Sequence, residues 1–172
     1  LIPYTVWRRQ QLIRNTIAMK LYYSPGSCSL SVHIALREAG LNFDLEKIDG
    51  RAKKMASGGD YLTVNANGYV PALELEDGQI LTECSAILQY IGDSNAELKL
   101  APAAGTIERY RLQELLSFIS TELHKGFAPL FNPTATDTFK ETVVEKLKRR
   151  FGWMDRQLEG RDFLMGNQFT VA

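Results

Sequence analysis

The chain has 172 residues, 45% of them hydrophobic and 23% charged, enough apolar material for one sizeable core or two small ones. Lysine plus arginine and aspartate plus glutamate both total 20, so no net positive field draws the protein onto nucleic acid or an anionic membrane. The longest apolar runs fall far short of the roughly 20 residues that span a bilayer, and no secretory signal pattern is visible. The two cysteines, Cys28 and Cys84, lack metal-ligand spacing, so neither a zinc site nor a disulfide scaffold is expected and a reducing cytoplasm fits.

Residues 1–18 contain Arg8, Arg9 and Arg14, no acid and no serine, and the first methionine is Met19. They read as an extension outside the fold, either a transit-type leader or a read-through remnant. Removing those three arginines leaves the rest acidic by about three charges. Lys20–Tyr23 then predicts a short strand, Ser24–Ser27 a turn, and the next segment a helix closed by Gly40. Phe43–Ile48 supplies a second strand, and the crossover length favours parallel pairing. A loose Gly-rich stretch is expected over 49–67.

Pro71–Leu75 and Ile80–Thr82 flank Asp77-Gly78, which predicts a hairpin with a type I′ turn. Glu83–Ile91 has helical spacing through Ala86, Ile87, Tyr90 and Ile91. The resulting βαβ–ββα order is the thioredoxin-like layout, placed over 19–93. Turn formers concentrate in 92–105, and 94–105 is read as a linker. Beyond it, 106–172 reads as a partial all-helical domain. Its first helix runs Ile107–Lys125 through Leu112, Leu115, Leu116, Ile119 and Leu123, and a second carries Phe139, Val143, Leu147, Phe151, Met154 and Leu158. The basic run Lys146, Lys148, Arg149, Arg150 is read as a solvated face rather than a nucleic-acid patch. Thr170 reads as a helix N-cap with no helix after it, so the chain is expected to be truncated.

Three places could carry chemistry. Cys28 falls in the first turn of a helix, where free N–H groups and the helix dipole favour a thiolate, and its C-x-x-S context has no resolving cysteine. A small buried hydrophobe is an equal alternative for it. Val70-Pro71 is either an ordinary strand start or a cis-proline edge that turns the Val70 backbone toward the Cys28 turn for peptide pairing. Glu83-Cys84-Ser85 is either a capping segment or a helix-start site for a carboxylate. All three fall on one end of the sheet in this topology, which describes a site for a short acidic peptide bearing a thiol.

Met19–Leu30 resembles the opening motif of the soluble glutathione transferases of the bacterial beta class. Gly68–Leu73, Glu83–Tyr90, Glu122–Phe127 and Pro129–Phe131 resemble its later motifs, in order, so the likeness covers 19–172. The resemblance implies a thioredoxin-like domain followed by an all-α domain, incomplete at its end, in a homodimeric detoxifying enzyme that uses glutathione and no metal. It implies that Cys28 faces the glutathione sulfur, with Tyr23 and Ser27 as reserve catalytic donors. Val70 with Pro71 would pair with the cysteinyl backbone, Glu83 and Cys84 would hold the γ-glutamyl end, and Lys53, Ser117, Thr121 and His124 would complete the site. His124, Lys125 and Phe127 would line the pocket for a small electrophile. His33 is left as structural. Cys84 stands where many relatives carry serine or glycine, Val32 where proline is usual, and Ser117 where asparagine is common.

The activity expected is attack of the glutathione thiolate on an electrophilic carbon, with peroxide or disulfide reduction as an addition. A monothiol glutaredoxin-like reductase shares the first domain, but the helical second domain argues against it. A non-catalytic glutathione- or ligand-binding fragment is the third reading.

Overall fold

A computed structural model describes residues 18–172. The reading of 1–18 as an extension therefore lies, Ala18 apart, outside the described residues. The chain divides into two compact units between Glu83 and Cys84.

The first unit is a five-stranded sheet in the order β3-β2-β1-β4-β5, built from β1 (Met19–Tyr23), β2 (Phe43–Asp49), β3 (Lys54–Met55), β4 (Ala72–Glu74) and β5 (Ile80–Thr82). β1 and β2 pair in parallel, as the crossover predicts, and the other pairings are antiparallel. Between β1 and β2 runs α1 (Ser29–Glu38), whose Val32, Ala35 and Leu36 are buried at helical spacing. It ends as glycine dictates: Gly40 has φ 65°, and the Gly40 and Leu41 N–H groups return to the Arg37 and Leu36 carbonyls. Leu21, Leu36, Leu73 and Ile48 are essentially inaccessible, and each such side chain contributes roughly 1.5–3 kcal/mol by burial.

Two local expectations need correction. The stretch 49–67 is structured: it contains β3, which pairs with Ile48 and Asp49, and a 3₁₀ turn at Tyr61–Thr63 started by the Asp60 carboxylate accepting from Leu62 N–H. Gly-rich composition hid a strand of two residues. The hairpin exists, but its turn is not type I′. Leu75 N–H donates to Gln79 O (2.8 Å), Gly78 N–H donates to Leu75 O (2.9 Å), and Gly78 alone in the loop has positive φ. A three-residue loop with glycine in the left-handed region results. The Asp77 carboxylate, accepting from Gln79 N–H at 3.0 Å, fixes that loop.

The second unit contains α2 (Cys84–Ser94), α3 (Ile107–Phe118) and α4 (Asp137–Leu158). The linker read over 94–105 is not where the units divide, because α2 is tied to α3 and to the turn beyond it. Gln113 Nε2 donates to Gln89 Oε1 at 2.9 Å, and the Ser85 and Ser120 hydroxyls share a bond of 3.1 Å. Arg109, only 5% exposed, donates to both Asp93 carboxylate oxygens at 2.6 and 2.7 Å and to Pro102 O at 3.1 Å, fastening the turn-rich segment to α3. Thr106 and Thr136 cap α3 and α4 by accepting from Arg109 and Phe139 N–H. The helix expected to reach Lys125 changes pitch instead. It widens into a π-helical turn at Ile119–His124 and tightens into a 3₁₀ segment at Lys125–Phe131, where Pro129 offers no N–H. In the basic run, Lys146 and Arg150 reach Glu122, and Lys148 reaches Glu145. Among the described residues no helix is long and apolar enough to cross a membrane.

Candidate active site

In the first unit the site is assembled at the carboxyl end of β1. The chain leaves Tyr23, turns through Ser24-Pro25-Gly26-Ser27 and enters α1 at Cys28, which occupies the N-cap. Gly26 takes φ 73°, a conformation glycine adopts without steric cost. The turn is closed by hydroxyls. Ser27 Oγ and Ser29 Oγ lie 2.7 Å apart, both donate to Ser24 O (2.8 and 3.2 Å), and Ser24 N–H donates back to Ser29 Oγ. The Ser27 hydroxyl, expected as a reserve donor, thus spends its proton on the turn. Tyr23 is half-buried at the end of β1, in register with Lys47.

Against this turn lies the loop before β4. The Val70–Pro71 peptide is cis, and the half-buried Cys28 thiol donates to Val70 O over 3.5 Å. Spacing alone left Cys28 and Pro71 open between chemistry and packing; the fold brings their neighbourhoods into contact. Lys53, itself at φ 55°, extends its ammonium to Gly68 O (2.8 Å) and over the Tyr69 ring at 5.8 Å, so it stands beside the same loop. Tyr61 and Asn65, unmarked by any motif, close the loop from behind. Tyr61 Oη and Asn65 Nδ2 both donate to Tyr69 O, at 2.7 and 2.9 Å. Their only trace in the sequence is the turn-forming Asn65-Ala66-Asn67-Gly68.

Glu83 ends the first unit, exposed and at φ 67°, immediately before the first residue of α2, Cys84. Left-handed backbone at a non-glycine residue costs about 1–2 kcal/mol, so the chain accepts strain to keep this carboxyl at a helix start.

The remaining named residues belong to the second unit. Ser117 is exposed near the end of α3, and its carbonyl accepts from Thr121 Oγ1 at 3.0 Å. Thr121 and His124 are exposed on the π-helical turn. Lys125 and Phe127 lie on the 3₁₀ segment, the Phe127 ring edge-on to Phe151 at 6.0 Å. Among the described residues no group of three or more His, Cys, Asp or Glu is placed to hold a metal ion.

Residues 25–94 match the family described as glutathione S-transferase, N-terminal domain. Glutathione S-transferase GstA of Escherichia coli O157:H7 is 44% identical over 154 residues, covering 90% of this chain and 77% of that protein. The chain belongs to the glutathione S-transferase family. A sphingomonad glutathione S-transferase solved in complex with glutathione superposes with a TM-score of 0.84 at 49% identity, over 88% of this chain and 76% of that one. The bacterial beta class glutathione S-transferase of Sphingomonas chungbukensis superposes at 0.83 with 47% identity, over the same shares. This glutathione S-transferase is of the bacterial beta class, and its mixed sheet followed by helices is the thioredoxin-like plus all-helical fold of the family.

Proposed function

We propose that this glutathione S-transferase binds glutathione along the Val70 edge, with its sulfur at Cys28, and transfers the thiolate to a small electrophilic carbon. The observation that carries the reading is the Cys28 thiol at the head of α1, 3.5 Å from the carbonyl before the cis Pro71. The N–H groups of Ser29, Leu30 and Ser31, expected to be free, are taken by Ser27 Oγ, Ser27 O and Cys28 O, so it is the positive end of the α1 dipole that favours a sulfur held as the thiolate it must be to attack. In the reaction the sulfur lone pair forms a C–S bond while the bond to a halide breaks, and the halide leaves with its electron pair. Glutathione arrives as the thiol and releases its proton to solvent on binding.

Glu83 and Cys84 hold the γ-glutamyl end and Lys53 meets a carboxylate; the resemblance assigns Ser117, Thr121 and His124 of the second unit to glutathione as well. His124, Lys125 and Phe127 face the electrophile. Homodimerisation and a cytoplasmic setting belong to the same reading.

A second activity, at the Cys28 sulfur itself, is favoured by the C-x-x-S sequence. Cys28 can exchange with a glutathione mixed disulfide: its thiolate attacks one sulfur, the S–S bond breaks, and the other sulfur leaves as thiolate. Titration calorimetry of glutathione into the full chain, with turnover of a model aryl halide, tests the main reading. Saturable binding with turnover, both weakened in Cys28→Ala, supports it. Binding and conjugation unchanged in Cys28→Ala would shift the cysteine to disulfide exchange, and absence of binding by the folded chain would sink the site.

A further inference from the structure

We infer that Tyr61 and Asn65 are positioning residues for glutathione, acting as a two-donor clamp on Tyr69 O that aims the Val70 N–H at the ligand. The inference goes deeper into the proposed pairing of Val70 with glutathione and rests on it.

Tyr69 O accepts from Tyr61 Oη at 2.7 Å and Asn65 Nδ2 at 2.9 Å, so both of its lone pairs are engaged. Tyr61 is fully buried and Asn65 is 8% exposed, which makes the two donors rigid and dry. Tyr61 packs with Tyr22, Ile48 and Ala72 in the sheet core, its ring centroid 5.7 Å from that of Tyr22. Asn65 is held in turn by Asn67 N–H donating to its Oδ1, and Lys53 Nζ pins the neighbouring Gly68 O. Burial pushes the Tyr61 phenol above its ordinary value, so the hydroxyl keeps its proton and remains a donor throughout the working pH range.

Peptide planarity carries the clamp's effect to the ligand side. Val70–Pro71 is the cis bond in the described chain, so the Tyr69–Val70 peptide is trans and planar, with its C=O and N–H pointing in opposite directions. Fixing the carbonyl toward Tyr61 and Asn65 therefore fixes the Val70 N–H away from them. That N–H has no acceptor among the described residues, and the carbonyl of the same residue faces the Cys28 thiol. Val70 thus presents a donor and an acceptor in one orientation, the pair that an extended peptide backbone recognises. The clamp sets this orientation before the ligand arrives, which lowers the ordering cost of binding and leaves the sulfur chemistry alone.

Two measurements on the full chain test it. Steady-state conjugation of an aryl halide is compared for wild type, Tyr61→Phe and Tyr61→Phe/Asn65→Ser. The expected result is a KM for glutathione raised about threefold in the single variant and about tenfold in the double, with kcat within twofold and the KM for the halide unchanged. Amide NMR of the wild type is expected to show the Val70 N–H exchanging rapidly alone and protected by saturating glutathione. Val70 protection with an unchanged KM in both variants overturns the clamp while the Val70 pairing stands. Bound glutathione without Val70 protection overturns the pairing itself and the clamp with it. Should the double variant fail to fold, Tyr61→Phe and the amide measurement decide: an unchanged KM in that variant overturns the clamp.

Discussion

Glu83 keeps a carboxyl at a helix start at a cost to the fold. Its φ of 67° is a conformation glycine adopts freely and other residues resist, yet the sequence keeps a carboxyl there. Glu83→Gly is expected to be more stable than Glu83→Ala by about 1 kcal/mol, since only alanine retains the steric clash, and both variants are expected to bind glutathione more weakly than wild type. Urea unfolding and calorimetry read the two effects separately. At this scale the sequence marked residues whose own type and neighbours announce a role: a cysteine after a Pro-Gly turn, a proline at a strand start, an acid before a helix. It did not mark Tyr61 or Asn65. Their role is to meet the Tyr69 carbonyl several positions away, and a hydrogen bond to another residue's backbone leaves no signature in the donor's own surroundings.

Periodicity located most elements, and their ends obeyed other rules. The helix from Ile107 was legible because leucines recur on one face, but the change of pitch after Phe118 was not, since apolar spacing continues through Leu123. The 3₁₀ segment meets α4 closely at Gly126. A Cβ there would stand 2.9 Å from Leu147 Cδ2, and Leu147 is buried. Gly126→Ala is accordingly expected to destabilise the protein by about 1–3 kcal/mol, read as a lower urea midpoint with unchanged slope. The π-helical turn is tied to α4 by charge. The Arg150 guanidinium, bonded to Glu122 at 2.7 Å, and Lys146 beyond it hold the Glu122 carboxyl below the ordinary carboxylate range. A carboxyl depressed in the folded state contributes stability that is present above its unfolded pKa and is lost as pH falls through its folded pKa. The urea midpoint of the wild type should therefore drop more steeply on acidification than that of Glu122→Gln, and equal slopes would show that the pair contributes nothing.

Taken whole, the protein is two compact units whose cores are built differently, one on a mixed sheet and one on helices. Glutathione bound to the folded state alone raises the melting temperature by mass action, with about 2.7 kcal/mol of added stability at 100 times Kd. Differential scanning calorimetry should show that rise in the wild type and a smaller one in Glu83→Gln at the same glutathione concentration. The sequence by itself determined the order of the longer elements, β3 and the 3₁₀ and π-helical segments excepted, together with the parallel crossover and the motifs by which the chain resembles its family, because hydrophobic period, turn chemistry and short spacings are local properties of a chain. Only the tertiary structure decided that the units divide after Glu83 rather than in the turn-rich 94–105, that the Ser27 hydroxyl is engaged by its own turn, and that Cys28 stands against Val70. Each of those depends on which groups come into contact once the chain has packed, and no local pattern encodes that outcome.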